Sequence, residues 1–322
     1  MHTNAHKMNL IALTLVCLAI VGCAKVDEST LDSSDRLPLR MQVAHLPNAI
    51  RIHERVISGG RPDGEAAFEE LRSRGVKTII SVDGAQPDLQ LAAQYEMRYV
   101  HLPHGYNGIP DTRAAELAKA VRDFEGPIYI HCHHGLHRSP AAAAVACVSN
   151  GMLDPLDASN LLKFAGTSEN YRGLYQSVAN ARRLDNQLLD ALKADFPEIA
   201  ELPPLAEAMV ELERTFDHLK RLSAVDRKSL DDHPDLHPDH EALMLWEHFT
   251  EMLRMESVAK KPAAFRLLLE QSESDSRTLE RLLRDRMVDT AMGSTEIDAT
   301  FKRLSANCAA CHRVYRDVPL SH

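Results

Sequence analysis

The sequence predicts two domains of different class: an α/β domain with a mostly parallel central sheet, followed by an all-α four-helix bundle. Three observations carry this. The chain has 322 residues, more than one ordinary domain needs. Between about residues 50 and 131, apolar runs of strand length alternate with amphipathic segments, the pattern of parallel strands joined by helical crossovers. From Ser139 onward the apolar period is helical, and Pro197, Pro203 and Pro204 mark a boundary within it.

The elements follow in chain order. Met8 to Gly22 is nearly all apolar after a mildly charged start at His2, His6 and Lys7. The run is too short for a comfortable membrane span and reads as the apolar core of a signal peptide over residues 1–22. Residues 23–45 are polar and read as a tether. The α/β domain then occupies 46–195. Arg51 to Ser58 alternates as a strand, and Gly59-Gly60-Arg61-Pro62 reads as a turn. Glu65 to Arg74 forms a helix with Phe68 and Leu71 inward, ended by Gly75, and Val76 to Val82 is a buried strand. A short helix at Leu89–Tyr95 and a strand at Met97–Leu102 come next. Asp111 is expected to cap a helix running to about Phe124. Pro127 to His131 is another apolar strand. Ser139 to Asn150 is helical, closed by Gly151, and two or three helices follow to about Asp195. The second domain, 200–320, holds four amphipathic segments at about 204–224, 239–256, 262–286 and 295–317.

Composition narrows the function classes. An apolar fraction of 44% can build real cores, which excludes a disordered chain. A formal charge of −9 argues against sequence-independent nucleic-acid binding, which needs a basic surface. The six cysteines do not form a disulfide framework, because each has a better local explanation. Cys23 ends Ile20-Val21-Gly22-Cys23, which resembles the lipobox of bacterial lipoproteins. That resemblance implies cleavage before Cys23, lipidation of Cys23, and a membrane-anchored protein in the periplasm or elsewhere outside the cytoplasm. Cys147 lies in an Ala-rich helix and reads as core.

The strand ending at His131 runs into Cys132-His133-His134-Gly135-Leu136-His137-Arg138-Ser139, with Pro140 opening a helix. Strand, tight loop and helix N-terminus together make an anion cradle, in which loop amides converge on one spot. Such a cradle favours a thiolate at Cys132. Arg138 can bind two phosphate oxygens in its planar fork, Gly135 permits the sharp turn, and Ser139 can hydrogen-bond the sulfur. The segment resembles the signature of protein tyrosine and dual-specificity phosphatases, H-C-x-x-G-x-x-R-S/T. Upstream, Ile57 to Pro62 and Gly75 to Ile80 look like the opening of small bacterial dual-specificity-type phosphatases, so the resemblance covers about residues 46–180. It implies Cys132 as nucleophile of a phosphocysteine intermediate, Arg138 as phosphoryl ligand, Ser139 as an aid to turnover, and His133, His134, Gly135, Leu136 and His137 as the rest of the phosphate loop. Asn107 stands where the family carries its general acid. Asp111 is the nearest carboxylate, and Asp83, at the end of a neighbouring strand, is an alternative. A competing reading makes His131, Cys132, His133, His134 and His137 metal ligands.

Near the C-terminus stands Cys308-Ala309-Ala310-Cys311-His312, the attachment signature of c-type haem, in which two thiols one helical turn apart reach one porphyrin and the following His ligates the iron. A zinc half-site or a redox pair is the alternative. The motif continues as Arg313-Val314-Tyr315-Arg316 in the last of four helices, and resembles the cytochrome c′ and related class II cytochrome c family over about residues 200–318. That resemblance implies Cys308 and Cys311 as attachment points, His312 as axial metal ligand, Arg316 near the haem edge, and Met209 of the first helix on the distal side. His218, further along that helix, reads as surface.

Two functions compete. In one, an exported phosphatase hydrolyses phosphate monoesters of a small molecule or protein, and a covalent haem c serves redox or gas sensing or electron transfer. In the other, an electron-transfer or gas-binding cytochrome, served by a redox partner, carries a catalytically weak phosphatase-like module that binds an anion or a partner.

Overall fold

A computed structural model describes residues 37–224, 230, 233–285 and 291–320, of which the last two segments and 204–224 are helical for most of their length. The signal segment, Cys23 and most of the tether lie outside the described residues. Residues from Leu37 onward form one compact unit.

Six strands make one sheet, in the order β1-β2-β3-β6-β4-β5. They are β1 (Leu39–Arg40), β2 (Ile50–His53), β3 (Val56–Gly60), β4 (Thr78–Ser81), β5 (Arg98–His101) and β6 (Ile128–Cys132). The last four in that order after β2 are mutually parallel, and β1 and β2 add an antiparallel edge. The sheet is mostly parallel, as the alternation predicts, with an antiparallel edge. Three local expectations change. The single strand expected over Arg51–Ser58 is a hairpin, because the chain reverses at Glu54-Arg55 and pairs Arg51 with Ile57. Gly59 and Gly60 are not a turn but the end of β3, paired with His131 and Cys132. Glycine is required there by close approach: a Cβ on Gly59 would lie 2.8 Å from Tyr129 Cζ. Residues 39–40, expected in the tether, pair as β1.

Helices cover both faces. On one side α1 (Gly64–Ser73) and α2 (Leu89–Gln94) bury Phe68, Leu71 and Ala92 with Ile57, Ile79 and Tyr129. On the other, α3 (Asp111–Asp123) and α4 (Arg138–Ser149) pack over Ile80, Val100, Ile128 and Ile130, with α5 (Pro155–Ala165) and α6 (Arg172–Asn180) beyond them. Every residue of α4 is buried. After Arg138 its side chains are small, with a run of alanines and none larger than Val, which lets this helix pass under the others and hold its N-terminus at the centre of the sheet edge. The short α7 (Asn186–Ala191) packs on α3. The segment beyond it is tied to β5, since His101 N donates to Pro197 O at 2.8 Å.

Four long helices and one short one follow: α8 (Pro204–Ala224), α9 (Pro238–Arg254), α10 (Glu256–Ala259), α11 (Ala263–Arg284) and α12 (Ala291–Tyr315). Helix α9 packs against α8 and α11, and α11 against α12. Phe216 of α8 stacks on Phe301 of α12 at 5.0 Å. Leu245, Phe249 and Met252 recur at helical spacing on the buried stripe of α9. A polar seam joins α11 to α12: Arg303 Nε donates to Asp275 Oδ1 (3.1 Å), and Asn307 Nδ2 to Ser272 Oγ (2.6 Å). None of the described helices is long and apolar enough to cross a membrane.

Candidate active site

The loop from His133 to His137 joins the end of β6 to the start of α4 at the central strands of the sheet. Its carbonyls are tied outward. Arg61 N donates to His133 O (3.1 Å), Asn48 Nδ2 to His134 O (2.8 Å), and Thr167 Oγ1 to Leu136 O (2.7 Å). Among the described residues no amide from His133 to Arg138 donates to a protein acceptor. Carbonyls held out and amides left over make a nest for an anion, reinforced by the N-terminus of α4. Gly135 holds the bend with φ +75°, and a Cβ there would overlap Gly60 N. The helix starts at Arg138, so Pro140, expected to open it, is its third residue. Proline is still tolerated, because the first four amides of a helix have no internal acceptor.

Cys132 is buried at the base of the nest. Its Sγ lies 3.3 Å from Ser139 Oγ, which also donates to Gly59 O at 2.9 Å. The Ser139 hydroxyl has one proton and two acceptors, so it can turn toward the sulfur when the sulfur carries charge. Arg138 is buried, and its Nε has no protein partner. Its guanidinium lies 4.6 Å from the centre of the Tyr106 ring. Burial opposes the charge, but Tyr106, Asp83, Cys132 and Glu213 outweigh it and hold the guanidinium firmly protonated. His137 precedes α4 with its ring 4.7 Å from that of Tyr171.

The acid candidates separate. Asp111 is not the cap of α3; Pro110 is, and Asp111 is an exposed residue of the first turn. Among the described residues it shares no hydrogen bond or ion pair with the loop. Its placement is favourable for the helix dipole alone. The backbone of Asn107 is tied to the C-terminal tail, whose Leu320 N donates to Asn107 O at 2.9 Å. Asp83 is buried, accepts from Ala85 N through Oδ1 (2.8 Å), and has no partner at Oδ2. Its backbone is fixed by His101. Ala200 N donates to His101 Nδ1 (3.1 Å), so the proton sits on Nε2 and is donated to Asp83 O (2.7 Å). His104, beside the expected acid position, is driven down to about 3 by burial and is a neutral imidazole near pH 7.

His131 is turned from the loop, its Nε2 bonded to Tyr99 Oη at 2.5 Å. His133 instead meets α8, with Nε2 3.1 Å from Asp217 Oδ2. Asp217, and the charge of Glu213 one turn before it, are neighbours of the loop that sequence reasoning missed; they lie about eighty residues away in the chain, and nothing local points at the loop.

Near the C-terminus of the chain, Cys308 and His312 of α12 line a cleft of ≈ 400 Å³ with Phe216 and Lys220 of α8, Arg316, and Tyr171 of the α/β half. Cys311, one turn on, is buried against the helical core. All four described cysteines are free thiols. Burial brings His312 down to about 4 and pushes Cys308 up to about 11, so a neutral imidazole stands next to the two thiols. Met209 does not line this cleft; it is half-buried against the helical core, and Phe216 occupies the facing side of α8. His218 is not free surface, since its Nδ1 lies 2.8 Å from Glu241 Oε2. Arg316 reaches back, its guanidinium 4.3 Å from the centre of the Tyr106 ring, on which Arg138 also stacks.

No family model matches the chain. Among curated proteins it is 29% identical over 131 residues to the protein tyrosine phosphatase PRL-1 of Leishmania major, covering 36% of this chain and 74% of that protein. Similar solved structures include P. aeruginosa TpbA, at 20% identity and a TM-score of 0.38 over 46% of this chain and 95% of that one. The core catalytic domain of the PP-IP phosphatase SIW14 from S. cerevisiae aligns at 14% identity and a TM-score of 0.40, over 46% and 91%. With the loop geometry and the sequence relative together, the N-terminal half carries a protein-tyrosine-phosphatase-like fold.

Proposed function

We propose that the α/β half hydrolyses phosphate monoesters through a cysteinyl-phosphate intermediate, and that the helical half carries one covalent haem c in an exported, lipid-anchored protein. The observation that carries the first part is the nest: outward carbonyls, unclaimed amides, buried Arg138, and Cys132 at 3.3 Å from Ser139. Cys132 Sγ attacks phosphorus, the ester oxygen leaves with a proton, and water then releases phosphate and returns the thiolate. Arg138 and the loop amides hold the three equatorial oxygens, whose charge they meet without reorganising. Ser139 donates to the departing sulfur in the second step. Asp83 is the candidate proton donor, because it is buried and its Oδ2 has no partner among the described residues. Replacing Cys132 by Ser should abolish hydrolysis of p-nitrophenyl phosphate and of a phosphotyrosine peptide, and acid-quenched wild type should yield phosphocysteine. Turnover retained in the variant overturns the assignment.

The haem reading is supported by Cys308, Cys311 and His312 in one helix beside a cleft of the size cofactors occupy, on the order of 300–1,000 Å³. These residues fit the group: two free thiols a turn apart and a neutral imidazole. When bound, a haem would supply one-electron chemistry or an open iron position for a small gas. Phe216, and not Met209, lines the cleft with His312, so Met209 is not among the residues that would hold the group. The cytochrome reading, with the loop as a weak anion-binding module, is favoured by one observation: neither Asn107 nor Asp111 offers a proton to the nest. Hydrolysis rates on poor leaving groups distinguish the two.

A further inference from the structure

The two imidazoles that open the phosphate loop meet a carboxylate from α8. His133 Nε2 is 3.1 Å from Asp217 Oδ2, and one ligand atom each from His133, His134 and Asp217 lie within 4.8 Å of one another. We propose that these three side chains bind a zinc-class divalent cation that clasps the phosphate loop to α8.

Geometry supports this first. Zinc takes N and O ligands at about 2.0–2.2 Å in tetrahedral array, which puts neighbouring ligand atoms about 3.3 Å apart. The His133–Asp217 pair already has that spacing. The His133 and His134 rings stand edge to face with centroids 4.3 Å apart. His134 is exposed, so turning its own side chain is enough to bring in the third ligand. Two imidazoles and one carboxylate suit zinc, whereas magnesium and calcium favour all-oxygen sets.

The scaffold is fixed independently of any cation. The carbonyl of His133 is held by Arg61 N and that of His134 by Asn48 Nδ2. Two adjacent residues seldom converge on one ion, but here their backbone is pinned on both sides and the third ligand comes from another element. Lys220 pairs with Asp217 through Oδ1, which leaves Oδ2 for the histidines. Glu213, one helical turn before Asp217, adds negative charge that reaches both imidazoles. The other loop histidines are differently engaged: His131 bonds Tyr99, and His137 lies against Tyr171. The site is separate from the nest, because it uses side chains where the nest uses amides.

The test is equilibrium dialysis of the purified full-length protein against chelator-buffered zinc, with thermal unfolding in the same buffers. Wild type should take up zinc at low micromolar free metal and unfold at higher temperature with it, because a ligand bound only by the folded state stabilises that state. Asp217→Asn keeps the shape and a hydrogen-bonding group but removes the charge; it should hold one zinc fewer per chain and lose the thermal shift. His134→Gln, at an exposed position that folding does not depend on, should weaken the same zinc at least tenfold. His137→Gln should bind as wild type does. Equal zinc uptake by wild type, Asp217→Asn and His134→Gln overturns the proposal, as does a wild type that takes up none. In either case the contact is only a His133–Asp217 ion pair. The readout is binding, so it stands or falls apart from the phosphatase reading.

Discussion

Gly135→Ala probes how tightly the phosphate loop is set against β3. Gly135 has φ +75°, and an added methyl would overlap Gly60 N and lie 2.9 Å from Gly59 O. These are backbone atoms of a strand paired with β6, so no flexible side chain can yield. The left-handed backbone costs an alanine about 1–2 kcal/mol. The overlap adds roughly 1–3 kcal/mol, as overpacking in a tight core does. For a unit of this size, that lowers the unfolding midpoint by on the order of 5–10 °C. The loop must also back away by about an ångström, and a shift of that size costs about a hundredfold in rate. Gly64→Ala is the control: its φ is +69°, but nothing lies within 4 Å of the new Cβ. It should pay the backbone cost alone and keep its turnover. The assays are far-UV circular dichroism melts and hydrolysis of p-nitrophenyl phosphate, with vanadate binding as a measure of the intact nest. If Gly135→Ala and Gly64→Ala melt together and turn over equally, the loop is not set by close approach and the reasoning fails.

Other outcomes follow from the site. Asp83→Asn should slow hydrolysis of an alkyl phosphate by about 10²–10⁴ and spare an activated aryl phosphate, which leaves as the anion; Asp111→Asn should spare both. The reverse pattern would return the acid to Asp111. The His133–Asp217 pair should make stability depend on pH. The hydrogen bond that His133 donates to Asp217 raises His133 despite its burial, while burial resists ionisation of Asp217 but His133 and Lys220 hold it down at about 2. A raised histidine stabilises below its ordinary pKa near 6.5 and loses this as pH rises through its folded value; a depressed carboxylate stabilises above about 4 and loses this as pH falls toward 2. The melting loss caused by Asp217→Asn, measured without metal, should therefore be largest between about pH 4 and 6.5 and shrink by about pH 9. A loss independent of pH would mean that Asp217 only packs. Protein made in a host competent for cytochrome maturation should be red, and should keep its haem through denaturation; Cys308→Ala with Cys311→Ala should be colourless with the Cys132 chemistry intact.

Much of the site was legible because its chemistry is local. Cys132, Gly135, Arg138 and Ser139 fall within eight residues, and a strand before and a helix after them are all that is needed to fold them into a nest. The same holds for Cys308, Cys311 and His312, whose spacing is a property of one helix. Helix positions in the second half were also legible, since a 3.6-residue apolar period survives in the sequence whatever it packs against. The glycines of β3 were misread as a turn, because glycine signals conformational freedom locally, whereas here it answers the close approach of Tyr129 and of the loop. Strand pairing with a residue 72 positions away leaves no local trace.

What the sequence by itself determined is thus the two chemical motifs, the alternation that builds a mostly parallel sheet, and the helical second half. Only the tertiary structure decided which groups surround the motifs. It buried Asp83 and left Asp111 in solvent, put Phe216 rather than Met209 in the cleft with His312, brought Asp217 to His133, and stacked Arg138 and Arg316 on one tyrosine. The physical reason is the same in each case. A motif is encoded by covalent neighbours, but the field and the partners around it come from side chains that are far apart in the chain and meet only when separate elements pack.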